Sequence, residues 1–382
     1  MTATTSEPAG QTAKAKRDWL FVAVAVLATL LITGLVLIDQ QPWSAALVIV
    51  GFGLGAAFFK AEFSFTASWR RFLLKGEAGG LLAILLMIAL LAVAVVPVAA
   101  TLPSFGGSIA PLGVSLVVGA FVFGIGMQLG NGCGSGTLYT VGGGSGRMLF
   151  TLAFFIVGSV LGSLSLPAFL NMGGIDPVLA SDYLGPWGGL AATLVSIGIV
   201  ALIVQQIAIR RGASATPRKS FLVGAVVIAA LMIGAFIAGG HPWSVTFGYT
   251  VWGGKLAMLA GFDISQAEFW QWPGPKHALT DSVLGDTASL TDLGMIFGAM
   301  GAAAFSKPFA PGPWPPLKSL LAASIGGLLM GWGARLGFGC NIGAFVGGVA
   351  SGSVHGWIWF AAALGGCTVG IKLRPWFGLS RD

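Results

Sequence analysis

Repeated runs of roughly twenty apolar residues dominate this 382-residue chain, and a water-soluble domain has no way to hide so many of them. Trp19 to Ile38, Gly79 to Ala100, Pro111 to Leu129, Met148 to Leu170, Leu190 to Ile209, Phe221 to Gly239, Asp292 to Phe305, Leu320 to Leu336 and Trp357 to Leu373 each read as a membrane span. The first run is longer than the core of a cleaved signal, so the mature chain is expected to keep it. Only 9% of the residues are charged, and the net charge of +7 lies in tails and short loops. That charge reports orientation in a bilayer, and nothing in it resembles a nucleic-acid-binding surface.

Two more apolar pieces, Trp43 to Phe59 and Trp243 to Phe262, follow matching motifs, Pro42-Trp43-Ser44 and Pro242-Trp243-Ser244. Both are rich in glycine and are expected to dip into the bilayer without crossing it. The internal basic loops and the C-terminal tail then share one side, opposite the polar stretches 171–185 and 263–291. The expected fold is an all-α integral membrane protein of about nine transmembrane helices plus short re-entrant half-helices. Its expected segments are a polar N-terminal tail (1–18), a first membrane repeat (19–170), a connector with one span (171–219), a second membrane repeat (220–373) and a C-terminal tail (374–382). Two pseudo-symmetric repeats with one connecting span are inverted with respect to each other.

The repeat is sharpest at one stretch used twice. Residues 119–136 and 326–343, laid over each other at an offset of 207, agree at eight of eighteen positions, comprising six glycines, Leu129 with Leu336, and Cys133 with Cys340. Each copy interrupts an apolar run with a Gly-x-Gly-Cys turn, which predicts a broken helix. Inside hydrocarbon, unpaired backbone survives only where protein buries it or where it lines a polar cavity, and paired breaks point to a binding site near the midplane.

The two loops supply the candidate site. Cys133 and Cys340 carry thiols, weak polarisable donors suited to a soft sulfur or selenium atom, although either could instead fill a tight helix contact. Gly132 and Gly339 shape the turns. Arg335 stands where the first loop has Gln128, and an arginine at this depth is costly unless it is paired or lines an aqueous path. Asn131 and Asn341 are potential ligands or loop caps. Lys255 is a snorkelling residue or part of an electropositive vestibule, which Ser64 and His355 could share, and His355 is otherwise a satisfied interface histidine or a proton carrier. Cys367 has no counterpart in the first half and reads as filler. Three cysteines and three histidines without metal-ligand spacing give no metal site, and no nucleotide-binding motif sits in the strand context it needs, so no cofactor is expected.

Gly331-Trp332-Gly333-Ala334-Arg335-Leu336-Gly337-Phe338-Gly339-Cys340-Asn341, together with the first Gly-Cys loop and Trp252-Gly253-Gly254-Lys255, resembles the YeeE/YedE membrane proteins of sulfur and selenium metabolism, and the YedE branch in particular. The resemblance implies a bacterial inner-membrane transporter, not an enzyme, for thiosulfate or a related sulfur anion, with both loop cysteines on its path. It also implies a TusA-like soluble sulfur carrier as a potential partner. Members that take up thiosulfate carry a further cysteine in a Phe-Cys-Phe segment, where this chain has Phe63-Ser64-Phe65. Ser64 therefore makes a selenium compound or another sulfur oxyanion a rival substrate. A membrane sulfurtransferase holding a cysteine persulfide, and a structural protein whose glycines only pack helices, are the other readings.

Overall fold

The computed structural model describes residues 17–39, 42–306 and 314–381. Most of the polar N-terminal tail, Gln41 and the start of the proline-rich turn at Lys307 lie outside the described residues. The chain is helical almost throughout. It runs α1 (Trp19–Asp39), α2 (Pro42–Ala61), α3 (Phe65–Lys75), α4 (Gly79–Thr101), α5 (Val114–Gly130), α6 (Gly134–Gly142), α7 (Gly146–Leu170), α8 (Ala180–Arg210), α9 (Lys219–Gly239) and α10 (Val245–Leu259). Two short helices, α11 (Glu268–Gln271) and α12 (Pro273–Thr280), lead to α13 (Thr287–Ser306) and α14 (Leu317–Leu336). A π-helical turn (Asn341–Val346) runs into α15 (Gly347–Ala350), and α16 (Val354–Leu373) completes the bundle.

Among the described residues ten helical stretches are long and apolar enough to cross a membrane, which makes this a multi-pass membrane protein. Nine match the runs read from sequence; the tenth is α2, which is expected only to dip. Its glycines do not break it. Gly51 and Gly55 face α13, where an added Cβ would fall 2.3 Å from the Thr291 carbonyl oxygen and 2.0 Å from that of Met295. In a bilayer small residues let helix backbones approach closely, and an unbroken helix is what such a groove requires. By contrast α10 has fifteen residues, too few to span, as expected for a dipping segment.

The same close approach joins the central helices. Gly158 of α7 meets the Leu328 carbonyl of α14, and Gly366 of α16 meets the Phe121 carbonyl of α5, with room for no side chain in either place. Around this centre α2 and α1 lie along α13, while α9 and α8 lie along α4. On the bundle's outside, Leu27, Leu30 and Leu31 of α1 and Val195, Ile199 and Leu202 of α8 are exposed, an apolar surface suited to lipid tails. A two-residue antiparallel ladder, Leu112↔Ile175 and Gly113↔Gly174, ties the start of α5 to the end of α7, and an isolated bridge joins Leu179 to Ser353.

Candidate functional site

Both helices that lead into the Gly-Cys loops stop where the glycine pattern places the break. α5 ends at Asn131, whose backbone is left-handed (φ 63°), and Cys133 then caps the nine-residue α6. The Cys133 thiol accepts the Gly136 N–H at 3.3 Å and lies 3.6 Å from the Ser135 hydroxyl. In the second loop Phe338 (φ 59°) and Gly339 (φ 148°) turn the chain after α14. A side chain at Gly339 would need a strained conformation and would come 2.7 Å from the Ala344 nitrogen, so glycine is required there. Cys340 then caps the π-helical turn. Both cysteines are buried, with 2% of Cys133 and none of Cys340 exposed.

The two loops touch. A Cβ placed on Gly134 would lie 2.8 Å from the Cys340 sulfur, so this glycine lets the second thiol pack beside the residue that follows the first. The short helix α10 closes over the contact. Tyr249 donates its hydroxyl hydrogen to the Gly134 carbonyl at 2.9 Å, and the Thr246 methyl lies against Gly134 beside Cys340. The C-terminal end of α10 is anchored by Lys255, whose ammonium donates to the carbonyls of Leu279 and Asp281. Lys255 is thus a strut for α10.

The remaining sequence candidates divide between the two ends of this pair. Arg335, 9% exposed, sits one turn before the second loop with its guanidinium 5.4 Å from the Phe269 ring and 5.8 Å from the Phe247 ring. Its Nη1 donates weakly to the Thr250 hydroxyl at 3.4 Å, and its Nε has no partner. Aromatic faces hold this cation, which leaves donors available to an anion. A cavity of about 140 Å³ reaches Phe338 from between the outer ends of α5 and α7. Asn341 is fully buried and neither its Oδ1 nor its Nδ2 has a partner among the described residues, an expensive arrangement for a buried amide.

At the other end Gln128 and Asn131 gather arginines. Asn131 Oδ1 accepts from Arg70 and Arg374, both at 3.2 Å, and Gln128 Oε1 accepts from Arg70 at 3.3 Å while its Nε2 stays unpartnered. Arg147 donates to the carbonyl of Leu129 at 2.8 Å and to that of Gly130. Three cations therefore crowd the negative end of α5. Sequence reading leaves Arg70 as an orientation marker, because its neighbours come from 58 and 61 residues away. Gly132 packs against Thr137 and Met148. Ser64 caps α3 by accepting the Ala67 N–H, and the Tyr139 hydroxyl lies beside it. His355 is buried behind α15, its Nδ1 paired with the Ser353 hydroxyl at 2.8 Å, so it joins neither group.

One buried acidic side chain escapes sequence reading altogether. Asp292 opens the Asp292 to Phe305 run and reads there as a boundary residue, yet it lies more than a turn inside α13 and is fully buried. Its Oδ1 accepts the Trp243 indole N–H at 3.1 Å. The signal that could have found it is that Trp243 itself, whose indole needs an acceptor once buried.

The probable transporter YedE of Escherichia coli is 34% identical over 155 residues, 40% of this chain and 35% of that protein. YedE of Salmonella typhimurium is 32% identical over the same extent, so this chain spans about a third of the length of the YedE proteins it matches. The thiosulfate transporter TsuA of Spirochaeta thermophila is 28% identical over 264 residues, 64% of this chain and 73% of that protein. A family model described as sulphur transport matches residues 60–369, taking in both Gly-Cys loops, α10 and Asp292, and on that match the chain belongs to the sulphur transport family.

Proposed function

We propose that this protein is a permease of the bacterial inner membrane for a small sulfur-containing anion such as thiosulfate, which passes between the two Gly-x-Gly-Cys loops. One observation carries the reading: the Cys340 thiol packs directly against the loop that begins with Cys133. A solute moving between the helices that bear the loops meets both sulfurs in succession. The buried Arg335 and unpartnered Asn341 supply donors on one side of the thiols, and Arg70, Arg147 and Arg374 supply positive charge on the other. Both thiols are buried, so the described arrangement is a closed one that must open toward each side in turn.

Two inverted repeats are part of this reading, with support from helix packing. α7 against α14 has its counterpart in α16 against α5, α2 against α13 in α9 against α4, and α1 against α13 in α8 against α4. These pairings favour α8 as the first span of the second half over its expected role as a connector. Ten crossings then place both termini and almost every basic loop on one side, which the positive-inside rule makes cytoplasmic.

The nearest polar partners of Cys133 are Ser135 and a backbone N–H. A persulfide-forming sulfurtransferase handing sulfur to a TusA-like carrier lacks a base there, and transport is favoured. Ser64, beside Tyr139, keeps a selenium compound or another sulfur oxyanion in view as the cargo. The test is thiosulfate uptake by cells expressing Cys133→Ala or Cys340→Ala at wild-type membrane levels. Each substitution is expected to lower uptake about ten-fold or more, and unimpaired uptake in both would refute the thiol route.

A further inference from the structure

We infer that Asp292 is a proton-binding site whose proton moves together with the anion, an assignment that rests on the permease reading above and adds its coupling ion. The Asp292 carboxyl is fully buried in α13 with a single hydrogen bond among the described residues, from the Trp243 indole to Oδ1. Its other oxygen, Oδ2, has no partner and faces α10, where a Cβ added to Gly248 would come within 2.7 Å of it. Thr246 on the same helix is also buried with an unpartnered hydroxyl.

Among the described residues no cation faces this carboxyl from the helices around it. α2 contributes only Lys60 and α1 only Asp39, each at or beside its helix end, and α6 contributes Tyr139. α10 contributes Tyr249, committed to Gly134, and Lys255, committed to two carbonyls. The segment before α13 brings Asp286, which adds negative charge. A carboxylate anion stripped of water and of any counter-ion is too costly to keep, so in this closed arrangement Asp292 carries its proton.

A route for that proton would run along the polar groups at the start of α13, ahead of Asp292. The Ser289 hydroxyl, one turn before it, donates to Asp286 Oδ2 at 2.5 Å and accepts the Trp252 indole N–H at 2.8 Å. The Thr287 hydroxyl lies 3.3 Å from His241 Nε2, and a small cavity lined by His241, Trp243, Ser244 and Thr287 adjoins the indole that holds Asp292. Burial pushes the Asp286 carboxyl above the usual carboxylate range while its bonds from Ser289 pull it back, as suits a group at the mouth of such a route.

The geometry joins proton and anion through one part. α10 shields Asp292 with Gly248 and covers the thiols with Thr246 and Tyr249. A shift of α10 that admits water to Oδ2 therefore also opens the way to Cys340. Oδ2 takes a proton from the water at the His241 end and gives it to water on the opposite side when the anion leaves. No other bond is made or broken.

The test uses the full-length protein in proteoliposomes loaded with a pH-sensitive dye, with thiosulfate as the probe. Wild type is expected to acidify the lumen as thiosulfate enters and to run thiosulfate counterflow. Asp292→Asn keeps the Trp243 bond and removes the exchangeable proton. It is expected to hold counterflow within about two-fold and to lose acidification about ten-fold or more. Trp243→Phe removes the bond that favours the anionic carboxylate, and it should move the pH midpoint of acidification upward; it carries the test should Asp292→Asn fail to fold. Acidification by Asp292→Asn equal to wild type, an unmoved midpoint in Trp243→Phe, or wild-type counterflow without acidification would each overturn the coupling. Absence of counterflow in wild type would instead overturn the permease reading.

Discussion

Gly134 is the position at which the two halves of the site depend on each other. Its missing side chain is the space that the Cys340 sulfur occupies, and the Cys340 Cβ lies 3.3 Å from the same point. An alanine there must push the second loop away, at a cost of about 1–3 kcal/mol for overpacking. Gly134→Ala is therefore expected to reach the membrane at close to wild-type levels while its thiosulfate uptake falls several-fold, as uptake set against immunoblotted protein will report. The thiols and the turn glycines are legible in sequence because the same residues recur at one offset. Asp292 and Arg70 are not, because burial and partners decide what they do and both are supplied by segments far along the chain.

Among the helices, α10 determines whether the site is covered. It is too short to span, it is anchored by Lys255 at one end, and its Tyr249 hydroxyl makes the bond that pins it to the first loop. Tyr249→Phe leaves the buried Gly134 carbonyl without that donor, a loss of about 1–3 kcal/mol. The purified variant should melt several degrees below wild type in detergent, and an unchanged melting temperature would show that the bond does not hold α10. Sequence reading sets α10 and α2 apart from the spans alike, by their glycines and by the side on which the basic loops then fall. Both follow a Pro-Trp-Ser motif and both are rich in glycine. A glycine that ends a helix and a glycine that seats a neighbouring backbone look the same until the neighbour is in place, and for Gly51 and Gly55 that neighbour is α13.

At the scale of the whole molecule, the proposed path runs between two groups of donors. Arg335, held by aromatic rings, stands at the end of α14, three arginines gather at the end of α5, and the Cys340 sulfur packs against Gly134 of the first loop. Composition and apolar runs foretell the membrane bundle and nearly the right number of helices. The pairing of α1 with α13 and of α8 with α4 is beyond them, since lipid-facing helices differ little in pattern. The most direct measurement of the proposed path is alkylation of Cys133 and Cys340 in membranes, in a Cys367→Ala background, with and without thiosulfate. Protection of both thiols by thiosulfate, and of neither by an unrelated anion such as chloride, is the predicted result; equal labelling of both with and without thiosulfate would contradict it.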